Sequence, residues 1–178
     1  MNISDLRLEI DRIDDEIIRL INKRFDIVGV VKDYKFKKYG DEFLYLNEER
    51  EGEILKKNCS RFSDLGLDPS LAYGVWRNII SAANRFEQSD LTVNYSQDIS
   101  KKSLQIIQTE YPNTLIHRAY SDLLEVNISS STIVCLEIGG SGDQDIKHLE
   151  ENGFSCYRRL TLDEKDESHV GFFGKIIK

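Results

Sequence analysis

From Ile3 to Lys35 the chain carries one apolar stripe at helical spacing. Ile3, Leu6, Ile10, Ile13, Ile17 and Leu20 recur at alternating steps of three and four, the seam of a long helix that packs against other helices. Carried past Leu20, the same rhythm reaches Arg24, then Ile27 or Val28, then Val31, then Lys35. Arg24 and Lys35 are eleven residues apart, about three turns, so both point the same way. Burying a lone cation costs several kcal/mol. Snorkelling from the edge of the seam, pairing with carboxylates of a neighbouring helix, or an anionic ligand would each meet that cost. Arg7 lies seventeen residues before Arg24, which a straight helix turns into roughly 25 Å. No small ligand spans that distance within one chain. A functional Arg7 therefore serves a site on a second chain, with two long helices packed antiparallel.

Composition narrows the class. At 178 residues with 40% hydrophobic and 31% charged side chains, the sequence is that of a soluble globular protein of one or two small domains. Its net charge of −7 argues against nucleic acid or an anionic membrane as main partner, while leaving room for a local basic pocket. Cys59, Cys135 and Cys156 are odd in number and widely spread, as expected of reduced thiols in an intracellular protein. The start, MNISDLRLEID, is charged at once and does not resemble a signal peptide. No apolar run approaches the ~20 residues of a membrane span. The expected setting is cytoplasmic.

Further along, the stop and start signals divide the first half into three helices. Lys37 and Lys38 followed by Tyr39-Gly40-Asp41 end the first. The second begins at Leu46 or Asn47 and runs to about Phe62; Gly52 inside it costs roughly 1 kcal/mol relative to Ala, which suggests a close neighbour there. Asp68-Pro69 pairs a capping side chain with a proline at the first helical position, opening a third helix that ends near Gln88. Beyond, short β-rich runs alternate with helical ones. Strands are expected at Leu91–Tyr95, Thr114–Tyr120, Thr132–Ile138, Phe154–Leu160 and His169–Ile177, and helices at Ser100–Tyr111, Ser121–Val126 and from Asp143 to Asn152. The pattern predicts an all-helical domain over 1–89 and a small α/β domain with a partly parallel sheet over 90–178. Gly139-Gly140-Ser141-Gly142 follows the most apolar strand but lacks both the GxGxxG spacing and the Walker lysine, so it reads as a connector. His117, His148 and His169 have no ligand spacing with the cysteines, and no metal site is expected.

On the second helix Asn47 and Glu51 share a face, with Arg50 beside them. On the third, Trp76, Ile80, Ala83 and Glu87 follow one stripe. Glu87 ends an apolar face, where its carboxyl would be held above the ordinary range, unless the helix end lets it turn to water. The phrases LRLEIDRIDDEIIRLINKR, VKDYK, NEEREGEIL and LDPSLAYGVWRNIISAANRFEQ together resemble the all-helical (AroQ-type) chorismate mutase family over residues 2–88.

That resemblance implies an intertwined homodimer, each protomer contributing three helices, which converts chorismate to prephenate without a cofactor. Arg24 and Lys35 match the cations that hold the substrate carboxylates, and Lys35 also reaches the ether oxygen of the breaking bond. Arg7 matches the arginine that crosses from the second subunit. Glu51 matches the carboxylate that binds the ring hydroxyl; Asn47 stands where members carry Asp or Asn, and Arg50 matches an arginine next to that carboxylate. Glu87 falls where members carry Gln or Glu, the latter protonated so as to donate to the ether oxygen. Ala83 departs from the pattern, because a hydroxyl residue is common there, and its loss puts one substrate hydrogen bond in doubt. Mutases of this kind are often fused to prephenate dehydratase or dehydrogenase domains, but some 90 residues are too few for either, and a regulatory or assembly role is expected of the second half. The same scaffold also hosts isochorismate pyruvate lyase. A non-enzymatic dimerisation module that binds an aromatic-pathway metabolite is the reading from a different class.

Overall fold

The computed structural model describes residues 2–112, 116–138, 143–163 and 168–176. Two compact units are resolved, Met1–Lys38 and Tyr39–Lys178.

The first unit holds the helix α1, Ile3–Tyr39, all but its last residue. It is unbroken because its interior holds no proline. Asn2 and Asp5 exchange hydrogen bonds at its start, each backbone N–H donating to the other's side-chain oxygen (3.0 and 2.9 Å). Lys37 and Lys38 lie in its last turn, where the helix dipole favours cations. Gly40 then adopts a left-handed φ of 67° and stops it. The heptad seam is present but uncovered: Ile3, Leu6, Ile10, Ile13, Ile17 and Leu20 are between 42 and 62% exposed.

In the second unit, α2 (Glu48–Asp64) and α3 (Pro69–Glu87) form an antiparallel pair. The Asn47 side chain accepts from the Arg50 N–H at 3.0 Å, and Asp68 accepts from the Ser70 N–H at 2.8 Å ahead of Pro69. Phe62 and Trp76 meet edge to face, their centroids 5.9 Å apart. Gly52 does not mark a close approach: a methyl group built there meets nothing within 4 Å. Its cost to the helix is therefore not offset by packing within the chain.

A five-stranded sheet follows in the order β2-β1-β3-β5-β4. Its strands are β1 (Thr92–Ser96), β2 (Ile116–Tyr120), β3 (Thr132–Ile138), β4 (Ser155–Asp163) and β5 (Ser168–Gly174). β1 is parallel to β2 and β3, whereas β5 runs antiparallel to both β3 and β4. The expected α/β region with a partly parallel sheet is thus present. Helix α4 (Lys101–Glu110), capped by Ser100, and helix α5 (Asp143–Glu151) join the strands, and Ser121–Val126 shortens to a 3₁₀ turn at Leu123–Glu125. The Gly139–Gly142 connector, most of the Asp163–Glu167 loop and the ends of two expected strands (Thr114 and Ile177) lie outside the described residues.

Alternation along the strands builds two cores. Ile133 and Cys135 point to one face with Leu91, Val93, Ile107, Tyr111, Val170 and Phe172. Val134 and Leu136 point to the other with Leu123, Leu149, Phe154 and Phe173. Leu44, which precedes α2, belongs to the first core and is fully buried. Its N–H donates to the Lys175 carbonyl at 2.7 Å. Gln88 at the end of α3 clamps the same segment, accepting from the Tyr45 N–H and donating to the Phe43 carbonyl, both at 2.9 Å. These bonds tie the entrance of α2 and the exit of α3 to the sheet. Burial raises the pKa of the Cys135 thiol far above its ordinary value, which leaves it protonated and inert.

Gly52→Ala is expected to stabilise the protein by about 0.5–1 kcal/mol, the helix-propensity difference at an open position. Urea denaturation of both proteins checks this; a loss of stability would reveal a neighbour at that face.

Candidate active site

On α1, Arg24 and Lys35 are half-buried while Arg7 is exposed. The helix is continuous between them, so Arg24 and Lys35 lie on one side and Arg7 sits roughly 25 Å from Arg24.

In the second unit, Glu51 is 7% exposed and both its oxygens are engaged. Arg77 Nη1 donates to Oε2 at 2.9 Å, and Asn84 Nδ2 donates to Oε1 at 3.0 Å. Arg77 and Asn84 are seven residues apart on α3, two turns, and so project from one face of it. Arg77 is itself 3% exposed and uses its other terminal nitrogen on Glu110, with Nη2 2.8 Å from Oε2. Glu110 closes α4 and also faces Arg158 of β4, whose Nη1 stands 2.7 Å from Oε2. Arg158 Nε in turn lies 3.0 Å from Glu48, at the start of α2. The Tyr73 hydroxyl donates to the remaining oxygen of Glu110. Carboxylates and guanidinium groups alternate from Glu51 through Arg77, Glu110 and Arg158 to Glu48, which lies one turn before Glu51.

Burial alone would lower the pKa of Arg77, but Glu110, Tyr73 and Glu51 outweigh it and raise the value. Arg158 behaves likewise, with Glu110 and Glu48 opposing desolvation. Both guanidinium groups therefore stay charged. Glu48 is pushed up by desolvation, which the attraction of Arg158 only partly offsets.

Of the other residues singled out in the sequence, Asn47 is committed to capping α2, and Arg50 is exposed and pairs with Glu53 at 2.8 Å. Ala83 and Glu87 are buried on α3. Within the second unit the structure thus gathers Glu51 with Arg77 and Asn84. Neither of those two was picked out from the sequence. Arg77 precedes the buried Ile80 and Ser81 by three and four residues, so helical spacing already placed it on the buried arc. Among the described residues no cluster of three His, Cys, Asp or Glu could hold a metal ion, and no helix is long and apolar enough to cross a membrane. A concavity of about 270 Å³ at the carboxyl ends of the parallel strands is lined by Asp98, Asp122, Glu137 and Asp145. That lining repels a dianion.

Because the pKa of Glu48 is raised in the fold, its favourable contribution is complete below the unfolded-state value and is lost as pH rises through the folded-state value. Glu48→Gln cannot ionise. Its Tm relative to wild type is therefore expected to climb between acid and neutral pH, as thermal melts across that range would show; a falling difference would mean that the attraction of Arg158 dominates.

Comparison with known proteins gives one match. Residues 6–88 fit the family model of chorismate mutase type II, and the residues after 88 match no family. No curated protein and no solved structure matches the chain. The matched stretch contains Arg7, Arg24, Lys35, Asn47, Arg50, Glu51, Ala83 and Glu87, and over residues 6–88 the chain is similar to the chorismate mutase type II family.

Proposed function

We propose that this protein is a chorismate mutase that rearranges chorismate to prephenate on the route to phenylalanine and tyrosine. The family match over residues 6–88 carries this reading. Arg24 and Lys35 bind the two carboxylates of the substrate, paired hydrogen bonds from guanidinium being suited to that task. Glu51, joined by Asn47 and Arg50 at the start of α2, receives the ring hydroxyl. Each Glu51 oxygen has one protein donor, and a carboxylate oxygen accepts two bonds, so capacity remains for a ligand. The reaction is a one-substrate Claisen rearrangement. It asks the protein to hold the compact conformer and to stabilise charge growing on the ether oxygen. Lys35 and a protonated Glu87 are the donors aimed at that oxygen, and the burial of Glu87 suits a carboxyl kept neutral. Ala83, buried and without a hydroxyl, supplies only packing. No cofactor or metal takes part. In this reading residues 1–89 supply every substrate contact, and regulation or assembly is the role of 90–178 apart from any support they give to that site.

The uncovered seam of α1 supports a homodimer in which the two long helices cover each other. Arg7, roughly 25 Å along the helix from Arg24, then serves the partner's site. Purified protein is expected to convert chorismate to prephenate; salicylate and pyruvate formed from isochorismate would identify a lyase instead, and no turnover a binding module. Mixing inactive Arg7→Ala chains with inactive Arg24→Ala chains should restore part of the activity, since some heterodimer sites are then intact. Demonstrated subunit exchange without recovered activity would sink the shared site.

The rate should also fall as pH rises through the ionisation of Glu87. Only the protonated carboxyl donates to the ether oxygen; the carboxylate repels the charge growing there, at a cost on the order of a few kcal/mol in a dry site. Glu87→Gln donates at every pH and should hold its rate into the alkaline range. Measuring kcat/KM for both proteins decides it, and identical profiles would remove Glu87 from the chemistry.

A further inference from the structure

We infer that Arg77 and Glu110 are positioning residues for Glu51, so that the α/β region helps to build the substrate-hydroxyl site. The inference rests on the role proposed above for Glu51. A carboxylate that orients a ligand must itself be held in one place. Glu51 is held from two directions, by Asn84 and by Arg77. Arg77 cannot act as a fixed strut alone, because a guanidinium with a single anion can swing with it. Here its two terminal nitrogens meet two carboxylates, Glu51 through a hydrogen bond at 2.9 Å and Glu110 as an ion pair at 2.8 Å, so that it is held between them. Glu110 is anchored in turn from the sheet side by Arg158 of β4 at 2.7 Å, and from α3 by the Tyr73 hydroxyl. Arg158 closes the circuit on Glu48, one turn from Glu51 on the same helix. Residues 110 and 158 belong to the α/β region, and their ion pairs run to Arg77 and Glu48; the effect of Glu110 on Glu51 passes through Arg77.

If so, Glu110→Gln in the full chain loosens Arg77 and lets Glu51 turn. An interaction made equally with bound substrate and transition state raises KM and spares kcat. The expected result is a KM for chorismate about tenfold or more above wild type, with kcat within about twofold, as misplacement of a binding group produces. Val134→Ala, in the core on the other face of the sheet, is the control for lost stability and should leave KM alone. In a Glu51→Gln background, Glu110→Gln should raise KM no further. A second readout needs no activity. The side-chain amide of Asn84, which donates to Glu51, should shift in the ¹H–¹⁵N spectrum of Glu110→Gln and stay put in Val134→Ala. Tyr73→Phe removes one donor to Glu110 and keeps every charge. It should move KM and the Asn84 resonance the same way by less, and it carries the test if Glu110→Gln fails to fold. An unmoved Asn84 resonance overturns the inference, as does an unchanged KM or an effect of Glu110→Gln that multiplies with Glu51→Gln. A wild-type chain without chorismate turnover would sink the proposed reaction instead, and the hold of Glu110 on Glu51 would then stand or fall on the Asn84 resonance.

Discussion

Five buried or half-buried charges, Glu51, Arg77, Glu110, Arg158 and Glu48, decide how the helical pair and the sheet fit together. Taking such groups out of water is costly, and the attraction between them repays the cost only when every member has its partners. A shift of α2, α3, α4 or β4 would separate charges that stand 2.7–3.0 Å apart here. Leu44, Phe43 and Tyr45 add neutral ties between the same parts, through the Lys175 carbonyl and the side chain of Gln88. Nonpolar burial drives the collapse of the unit.

The sheet supplies the rigid side of this arrangement. Its central strand β3 is buried on both faces, and the antiparallel pairing of β5 with β3 and β4 places Arg158 where Glu110 can reach it. Tyr111, the residue after Glu110, is fully embedded, with its hydroxyl 2.7 Å from that of Tyr157, the residue before Arg158. The two charged side chains are thus each anchored by a neighbouring aromatic in the core. A carboxylate and a guanidinium on such supports lose little further freedom on pairing.

Helix α1 is built on a different principle. Its apolar seam has the period of a helix that packs against helices, yet in the single chain that seam faces solvent. The homodimer proposed above would supply a partner surface of the same period.

Local pattern was enough to locate the helices α1 to α3 and the central strand. Alternating three- and four-residue spacing marked α1, Asn47 and Asp68 marked the starts of α2 and α3, and the apolar run of Thr132–Ile138 marked the central strand. These signals act over a few residues, through hydrogen bonds and side-chain direction that neighbours in sequence control. The candidate site residues could be singled out in the same way, because Arg24, Lys35, Glu51 and Glu87 stand at helical offsets within single helices. What the sequence did not disclose is the set of partners that holds Glu51. Arg77 lies on another helix, Glu110 at the end of a third and Arg158 on a strand, separated along the chain by 26, 59 and 107 residues (77−51, 110−51, 158−51). Even the openness around Gly52 became visible only once its surroundings were assembled. Side chains so far apart in sequence are paired by the packing of whole elements, and that pairing is a property of the tertiary structure alone.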